Sequence, residues 1–370
     1  MREKRRQIWV ITLEYEPFII GGLGTVATNL SKALARSGLQ VTVLSRSPTS
    51  RFGITRKPRL SIIRFPKGPI YDRPAAAARW LMKRAFRKPD NIHIHSVQLA
   101  NWAIFLRKKY KIPIFYTCHS LIAMEPGPLT KKRIIAESRQ VQLLKIANKI
   151  VVPSRSELVH LKRRYPFSAK KTTVIKHGVA IRKSASRGPL HHLLYVGRLV
   201  PMKGLVQLLQ AVALLSRKSK KVRLFLVGTG PKGYTRHLKA LAKKYGIASR
   251  VHWLGYRRQR QVQSMYASFG AVVMPSRRES FGLVALEAMG CGIPLVATRS
   301  GGLAEIVNRK TAQVIPRVEK RAIAGAIQRM WRNRKATRQR MIAARKLAAR
   351  YSWPQAARRY KRLFQQSWKR

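Results

Sequence analysis

Acidic residues are scarce in this chain. Of 370 residues only 12 are Asp or Glu, against 78 Lys or Arg, for a formal net charge of +66. Aspartate occurs only at Asp72 and Asp90, so there is no D-x-D carboxylate pair to hold Mg²⁺ or Mn²⁺. Cysteine is nearly absent too. Cys118 and Cys291 are too few for a disulfide framework, and no Cys/His spacing suits zinc. No apolar run reaches the ~18 residues that a membrane-spanning helix needs. The basic start MREKRRQIWVITLEYEP loses its apolar character at Glu14 and shows no small-residue cleavage site, so it reads as a first strand and not as a signal peptide. These absences weigh against secreted, membrane-spanning and disulfide-rich classes and predict a cytoplasmic protein. What is present is ample apolar material: 45% of a chain long enough for two domains.

The charge has two readings. A surface this cationic attracts polyanions such as nucleic acid, anionic lipid or phosphorylated substrates. A general surface bias explains it equally, since the cations are spread over nearly the whole chain and a dedicated nucleic-acid site concentrates them. Residues 320–350 carry eleven Lys or Arg, either a nucleic-acid contact or, more commonly, a solvated helix face. Residues 74–88, PAAAARWLMKRAFRK, read as an amphipathic helix with Trp80, Leu81 and Phe86 beside Lys83, Arg84, Arg87 and Lys88. Such a helix lies on an anionic bilayer or packs on its own domain. The first alternative would make the protein peripheral on the inner face of the membrane.

Strand-like and helix-like runs alternate throughout, which predicts α/β architecture with parallel sheets. In the first half, IWVITL is a buried strand, GGLG at 21–24 a glycine-rich loop, and 25–37 a helix. NIHIHS and IPIFYTCHS are further strands. Polar residues 181–190, broken by Gly and Pro, read as a linker. The alternation then restarts with LHHLLYVGR. The expected division is an N-terminal domain over 1–180, a C-terminal domain over 191–351, and a last helix over 352–370. Two such domains facing each other place their ligand-binding strand ends at a shared cleft.

Several segments carry candidate chemistry. Residues 279–305 hold three of the twelve acids, Glu279, Glu287 and Glu305. A helix beginning after Ser280 aims free backbone N–H groups near Gly282 and Leu283, where an anion or sugar hydroxyl fits. Glu287 lies about two helical turns beyond Glu279, ~10 Å along the axis. The two carboxylates either grip separate parts of one ligand or serve as a dipole partner and a solvent-facing acid. Gly21, Gly22 and Gly24 allow close backbone approach to a phosphate or sugar, or simply make a tight turn. His93 and His95 alternate on one strand; His95 is a candidate for lining an acceptor site, and His93 reads as structural. GTGPKG at 228–233 matches G-x-G-x-x-G, but no Asp or Glu occurs between Glu157 and Glu279, so the acid that a dinucleotide site needs ~20 residues on is missing.

The segment PSRRESFGLVALEAMGCGIPLVATRSGGLAEIV resembles the E-x7-E signature of retaining glycosyltransferases of family 4. GGLG, VGRLVPMKG at 196–204, GTGP, SGGLAEIV and YSWPQAARRY extend that resemblance over most of the chain. The resemblance implies the GT-B fold, two Rossmann-like domains facing a central cleft. It implies hexose transfer, with retention and without metal, from a nucleotide-diphosphate sugar to an acceptor hydroxyl. No cofactor is implied beyond the donor substrate. The acceptor would be a glycan or lipid-linked, as in polysaccharide, glycolipid or envelope glycan synthesis. Arg198 and Lys203 would stabilise the departing diphosphate, Glu279 would hold the donor sugar, and Glu287 would bond the ribose. His119, in YTCHSL, would contact the sugar near the reacting bond. The N-terminal domain would bind the acceptor, and the last helix would cross back to it. The chain departs from the family at His177, where Asn is usual, and at Ala180, where Asp is common. Ile19 stands where glycogen and starch synthases carry a Lys, which speaks against an ADP-glucose synthase. The alternative function is a polyanion-binding or coat-like protein on the same scaffold.

Overall fold

The computed structural model describes residues 6–47, 49, 51–66, 73–83, 86–125, 130–181 and 188–368. The chain divides into two compact units, Met1–Gly178 with Trp353–Arg370, and Val179–Ser352.

In the first unit, β1 (Gln7–Thr12), β2 (Gln40–Arg46), β3 (Gly53–Lys57), β4 (Leu60–Phe65), β5 (Asn91–Ile94), β6 (Ile114–Thr117), β7 (Lys149–Val152) and β8 (Thr172–Val174) form one sheet, ordered β3-β4-β2-β1-β5-β6-β7-β8. Neighbours run parallel except β3 against β4. Helices α1 (Gly22–Arg36), α2 (Pro74–Lys83), α3 (Ala100–Tyr110), α4 (Lys131–Ile146) and α5 (Arg155–Arg164) connect them. All six residues of β1 are buried, as expected of a parallel strand covered on both faces. Trp9 and Ile11 enter one core and Ile8 and Val10 the other, following the two-residue period of a strand. The chain extends from β1 toward β2 and β4, then from β5 the other way. The order therefore reverses between β1 and β5, which opens a crevice at their C-terminal ends.

Helix α2 spans Pro74–Lys83, and residues 86–88 are not helical. Ala77, Ala78 and Leu81 are buried, and Trp80 packs edge-on against Phe52 and Phe65 with ring centroids 4.5 and 5.7 Å apart. Phe86 is buried as well. Ala77, Ala78, Trp80, Leu81 and Phe86 pack in the core of the unit, so they do not form the bilayer-facing surface of the alternative reading. Lys83, Arg87 and Lys88 are exposed, and Arg84 lies outside the described residues.

In the second unit, β9 (His192–Val196), β10 (Arg223–Val227), β11 (Val251–Gly255), β12 (Ala271–Met274), β13 (Leu295–Thr298) and β14 (Gln313–Ile315) make an all-parallel sheet ordered β11-β10-β9-β12-β13-β14. Its helices are α6 (Leu205–Lys218), α7 (Lys232–Lys244), α8 (Gln259–Met265), α9 (Leu283–Gly290), α10 (Lys320–Arg332) and α11 (Arg334–Ala349). This sheet reverses between β9 and β12. Helix α10 buries Ile323, Ala326, Ile327 and Met330 along one stripe and turns Lys320, Arg321, Arg329 and Arg332 outward, so the dense cations of this helix form a solvated face. Of the expected linker, residues 182–187 lie outside the described residues. Gly188 is packed into this unit: its N–H donates to the Ala267 carbonyl at 3.0 Å, and a Cβ there would sit 2.1 Å from the Ser268 carbonyl.

The last helix, α12 (Trp353–Gln365), packs on α1 of the first unit. Its stripe of Ala356, Ala357, Tyr360 and Phe364 is buried. Lys361 Nζ donates to the Ser37 carbonyl at 2.9 Å, and the Phe364 ring meets Phe115 edge-on at 4.8 Å. Phe364→Ala is expected to destabilise the protein by about 3–5 kcal/mol, because it leaves a cavity between helix and sheet. Urea denaturation reads the difference; a loss below about 1 kcal/mol would mean that α12 is not part of this core.

Candidate active site

The crevice of the second unit is built from the turns after β9 and β12. After β9 the chain makes a short 3₁₀ turn, Pro201–Lys203, closed by Gly204 at φ 69°. A Cβ on Gly204 would lie 2.2 Å from the Pro275 carbonyl oxygen. Glycine is thus required both for the left-handed turn and for its approach to the end of β12. Arg277 N–H donates to the Met202 carbonyl at 2.8 Å and ties the two turns together. The result is an ion pair: Lys203 Nζ lies 2.6 Å from Glu279 Oε1, with both side chains largely covered, at 16% and 13% exposure. Ser276 Oγ donates to the same oxygen at 2.8 Å. The turn after β13 braces this loop. Thr298 Oγ1 and Ser300 Oγ donate to the Ser276 carbonyl at 2.7 and 2.8 Å, and Gly302 N–H donates to the Glu279 carbonyl at 2.8 Å. Arg198 is exposed on the Lys203 turn. Tyr195 beneath donates to the Arg198 carbonyl at 2.7 Å. Burial, reinforced by the Glu279 charge, holds the Tyr195 phenol well above its ordinary value.

Glu287 sits apart from this pair. Residues 279–282 are not helical, and α9 begins only at Leu283. The two-turn estimate for Glu279 and Glu287 therefore fails: Glu287 is about one turn into α9, ~6 Å from its start. Glu287 as a residue is 9% exposed, and its carboxylate accepts from Tyr266 Oη at 3.0 Å and Gln259 Nε2 at 3.3 Å. It is neither a free surface acid nor a partner of the helix dipole. Gly282 is the N-cap of α9, at φ 98°, and no side chain caps this end among the described residues. An open cavity of about 820 Å³ lies nearby, with Gln207, Arg277, Arg317 and Lys320 on its wall; neither Lys203 nor Glu279 lines it.

In the first unit the glycine-rich segment is not a loop. Gly22 and Gly24 lie in the first turn of α1, with Gly21 as N-cap. Glu14 Oε2 accepts from the Ile20 and Gly21 N–H groups at 2.8 and 3.0 Å. A Cβ on Gly24 would lie 2.8 Å from Glu14 Cβ. An internal carboxylate thus takes the two N–H groups that precede the first turn of α1, and Gly24 is small to make room for it. The glycines of GTGP have a similar explanation. A Cβ on Gly228 would lie 1.9 Å from the Gly197 carbonyl oxygen, so this turn is glycine-rich because it presses on the turn after β9.

Beside the β1–β5 crevice runs a row of imidazoles. Ring centroids separate His93 from His95 by 4.2 Å, His95 from His119 by 5.2 Å, and His119 from His177 by 5.6 Å. His95 is only 2% exposed and its Nδ1 lies 3.0 Å from His119 Nε2. It stands behind His119 and does not line an acceptor surface, which corrects that expectation. His93 is fully buried and shares a hydrogen bond with Thr117 Oγ1 at 2.7 Å. Burial pushes His93 and His119 down to about 3, and holds His95 and His177 well below the ordinary imidazole value. All four are neutral near pH 7.

Residues 20–183 match the model of Glycosyltransferase Family 4, and residues 180–347 that of Glycosyl transferases group 1. The chain belongs to glycosyltransferase family 4. It is 29% identical to a D-inositol 3-phosphate glycosyltransferase of Corynebacterium efficiens, over 76% of this chain and 75% of that protein. It is 28% identical to a glycogen synthase of Mycobacterium tuberculosis, over 95% and 92%. Among solved structures, sucrose-phosphate synthase from Thermosynechococcus elongatus has a TM-score of 0.81 at 24% identity, covering 99% of this chain and 100% of that one. Anabaena HepE in complex with UDP and glucose has a TM-score of 0.76 at 18% identity, covering 98% and 100%. At these identities the structural likeness shows the fold, two Rossmann-like units of the GT-B class.

In this glycosyltransferase the structure joins Lys203 to Glu279, and His119 to His95. It leaves Glu287 with Tyr266 and Gln259. Sequence reasoning missed Ser276, Thr298, Ser300 and Tyr266 as supports, because ordinary hydroxyl residues carry no signal of their own. Glu14 did carry one, as a rare acid seven residues before the paired glycines. Among the described residues, no helix is long and apolar enough to cross a membrane, and no group of three His, Cys, Asp or Glu is disposed to hold a metal ion.

Burial raises the Glu287 carboxyl above 4.5, against the opposing pull of the Tyr266 and Gln259 donors. The folded enzyme then holds this proton more tightly than the unfolded chain, so stability is lost as pH rises from 4.5 through the folded value. Glu287→Gln is expected to raise the urea midpoint at about pH 8 and to change it little at about pH 4, below both values. An equal effect at the two pH values, or a loss at the higher one, would contradict this.

Proposed function

We propose that the enzyme transfers a hexose from a nucleotide-diphosphate sugar to an acceptor hydroxyl, with retention at the anomeric carbon and without a metal ion. The observation that carries the reading is the Lys203–Glu279 ion pair at the β9–β12 reversal, where open parallel sheets bind ligands. Lys203, with Arg198 on the same turn, would bind the diphosphate. Their charge stabilises the leaving group as the glycosidic bond breaks. The uncapped start of α9 at Gly282 and Leu283 adds backbone N–H donors for the same phosphates. Glu279 would orient Lys203 and accept from the donor sugar's hydroxyls. Glu287 would accept from the ribose; a carboxylate has about four acceptor sites, so its two protein partners leave capacity. In the first unit, His119 would contact the sugar near the reacting bond as a neutral imidazole. The metal-independent reading is supported by the two-aspartate composition and by cations already fixed in the turn after β9.

The test is turnover with a panel of nucleotide sugars, comparing wild type with Lys203→Ala and Glu279→Ala. Each variant is expected to lose about 100-fold or more in kcat while keeping the wild-type far-ultraviolet spectrum. Chelator is expected to leave the wild-type rate unchanged, and an α-linked donor to yield an α-linked product. Equal turnover in all three proteins would remove Lys203 and Glu279 from the site. A product of inverted configuration would remove the retaining reading.

A further inference from the structure

We propose that His95 is a positioning residue for His119, holding it in the tautomer that carries its proton on Nδ1. The catalytic meaning of this pairing rests on the proposed placement of His119 at the donor sugar; the pairing itself does not.

The two imidazoles meet at His95 Nδ1 and His119 Nε2, 3.0 Å apart. Both rings are neutral, so one proton is shared across that contact and one of the two nitrogens donates it. If His119 donated from Nε2, neutral His95 would carry its own proton on Nε2. That atom is buried and has no hydrogen-bond partner among the described residues. A buried N–H without an acceptor is rarer in folded proteins than an under-used acceptor atom. His95 therefore carries its proton on Nδ1 and donates, leaving a bare lone pair at Nε2. His119 accepts at Nε2 and must hold its own proton on Nδ1.

The neighbouring ring obeys the same rule. His93 Nδ1 is also buried without a hydrogen-bond partner among the described residues, while its Nε2 lies 2.7 Å from Thr117 Oγ1. His93 thus donates from Nε2, and the Thr117 hydroxyl, 2.9 Å from Tyr360 Oη, donates onward to Tyr360. The protons on His95 Nδ1, His93 Nε2 and the Thr117 hydroxyl then each have an acceptor, and the His93 and His95 rings leave only a lone pair unused. Among the described residues, no carboxylate figures in the influences on His93, His95 and His119: besides burial, these are the charges of the histidines themselves. Nothing nearby favours an imidazolium, so the shared proton stays a neutral hydrogen bond.

The consequence for His119 is specific. A free neutral histidine side chain favours the proton on Nε2, so the Nδ1–H form has to be imposed. His95 imposes it, and His119, half-buried, offers one N–H donor of fixed direction. A ring free to exchange tautomers would present a donor only part of the time.

The experiment is a long-range ¹H–¹⁵N correlation spectrum of the full chain labelled in histidine, near pH 7. Nitrogen shifts there separate protonated from bare ring atoms. His119 is assigned by loss of its signals in His119→Gln. The wild type is expected to show His119 protonated at Nδ1 and bare at Nε2. Finding His119 in the Nε2–H form would overturn the proposal without need of any His95 variant. His95→Phe, which keeps a ring but no donor, is expected to move His119 to the Nε2–H form and to lower kcat about 10–100-fold, the range seen when a partner that fixes a ring tautomer is lost. His95→Asn, whose amide N–H replaces the Nδ1 donor, is expected to restore most of both. An unchanged His119 tautomer in His95→Phe would overturn the proposal. A shifted tautomer with unchanged turnover would uphold the pairing and remove His119 from the sugar site instead.

Discussion

An ammonium group held against a carboxylate at the reversal point of a parallel sheet is the contact on which the second unit's chemistry depends. The Lys203–Glu279 pair is a product of topology. The sheet extends from β9 in both directions, so the turns after β9 and β12 are adjacent although 76 residues separate the two side chains. Gly204 lets one turn press on the other. Thr298 and Ser300 then fix the carbonyl that precedes Glu279 by three residues. In a chain of 78 cations, Lys203 stands out because its direction is set: it is covered, paired and braced.

The scarcity of acids gives the few that remain structural weight. Glu14 occupies the mouth of α1. Asp90 accepts from Arg6 at 2.9 Å and from the Gln7 N–H at 2.7 Å, joining the start of β1 to the approach to β5. Glu157 sits in the first turn of α5, whose Ser154 cap accepts from its N–H at 3.1 Å. Each carboxylate stands where folding leaves backbone N–H groups or a covered cation in need of an acceptor. The excess cations, by contrast, line outward faces such as that of α10. The same composition thus yields a highly charged exterior and a site whose electrostatics are set by individual carboxylates.

Much of this was legible from pattern alone. Continuous apolar runs such as IWVIT and AVVM predict buried parallel strands, and they are β1 and β12. The family wording around Glu279 led directly to the paired carboxylate, and VGRLVPMKG to its lysine. Other features were hidden because they depend on what a residue meets across the fold. Glycines signal only that room is needed. At GGLG the room is filled by Glu14, and at GTGP by the neighbouring turn. His95 looked like a surface candidate because strand alternation fixes which face a side chain takes but not whether another element covers that face. Glu287 keeps its E-x7-E spacing, yet three of the intervening residues, 280–282, are not helical, so spacing alone could not give its distance from Glu279.

The pair's role in holding a diphosphate is most directly tested by binding, separate from turnover. Titration calorimetry of nucleoside diphosphates against wild type and Lys203→Met, at one fixed ionic strength, isolates the ammonium from the general field of the protein. Affinity is predicted to fall at least ~10-fold in the variant, the loss of a charge-assisted contact. Equal affinity in the two proteins would show that the surrounding charge, and not the lysine that Glu279 orients, holds the nucleotide.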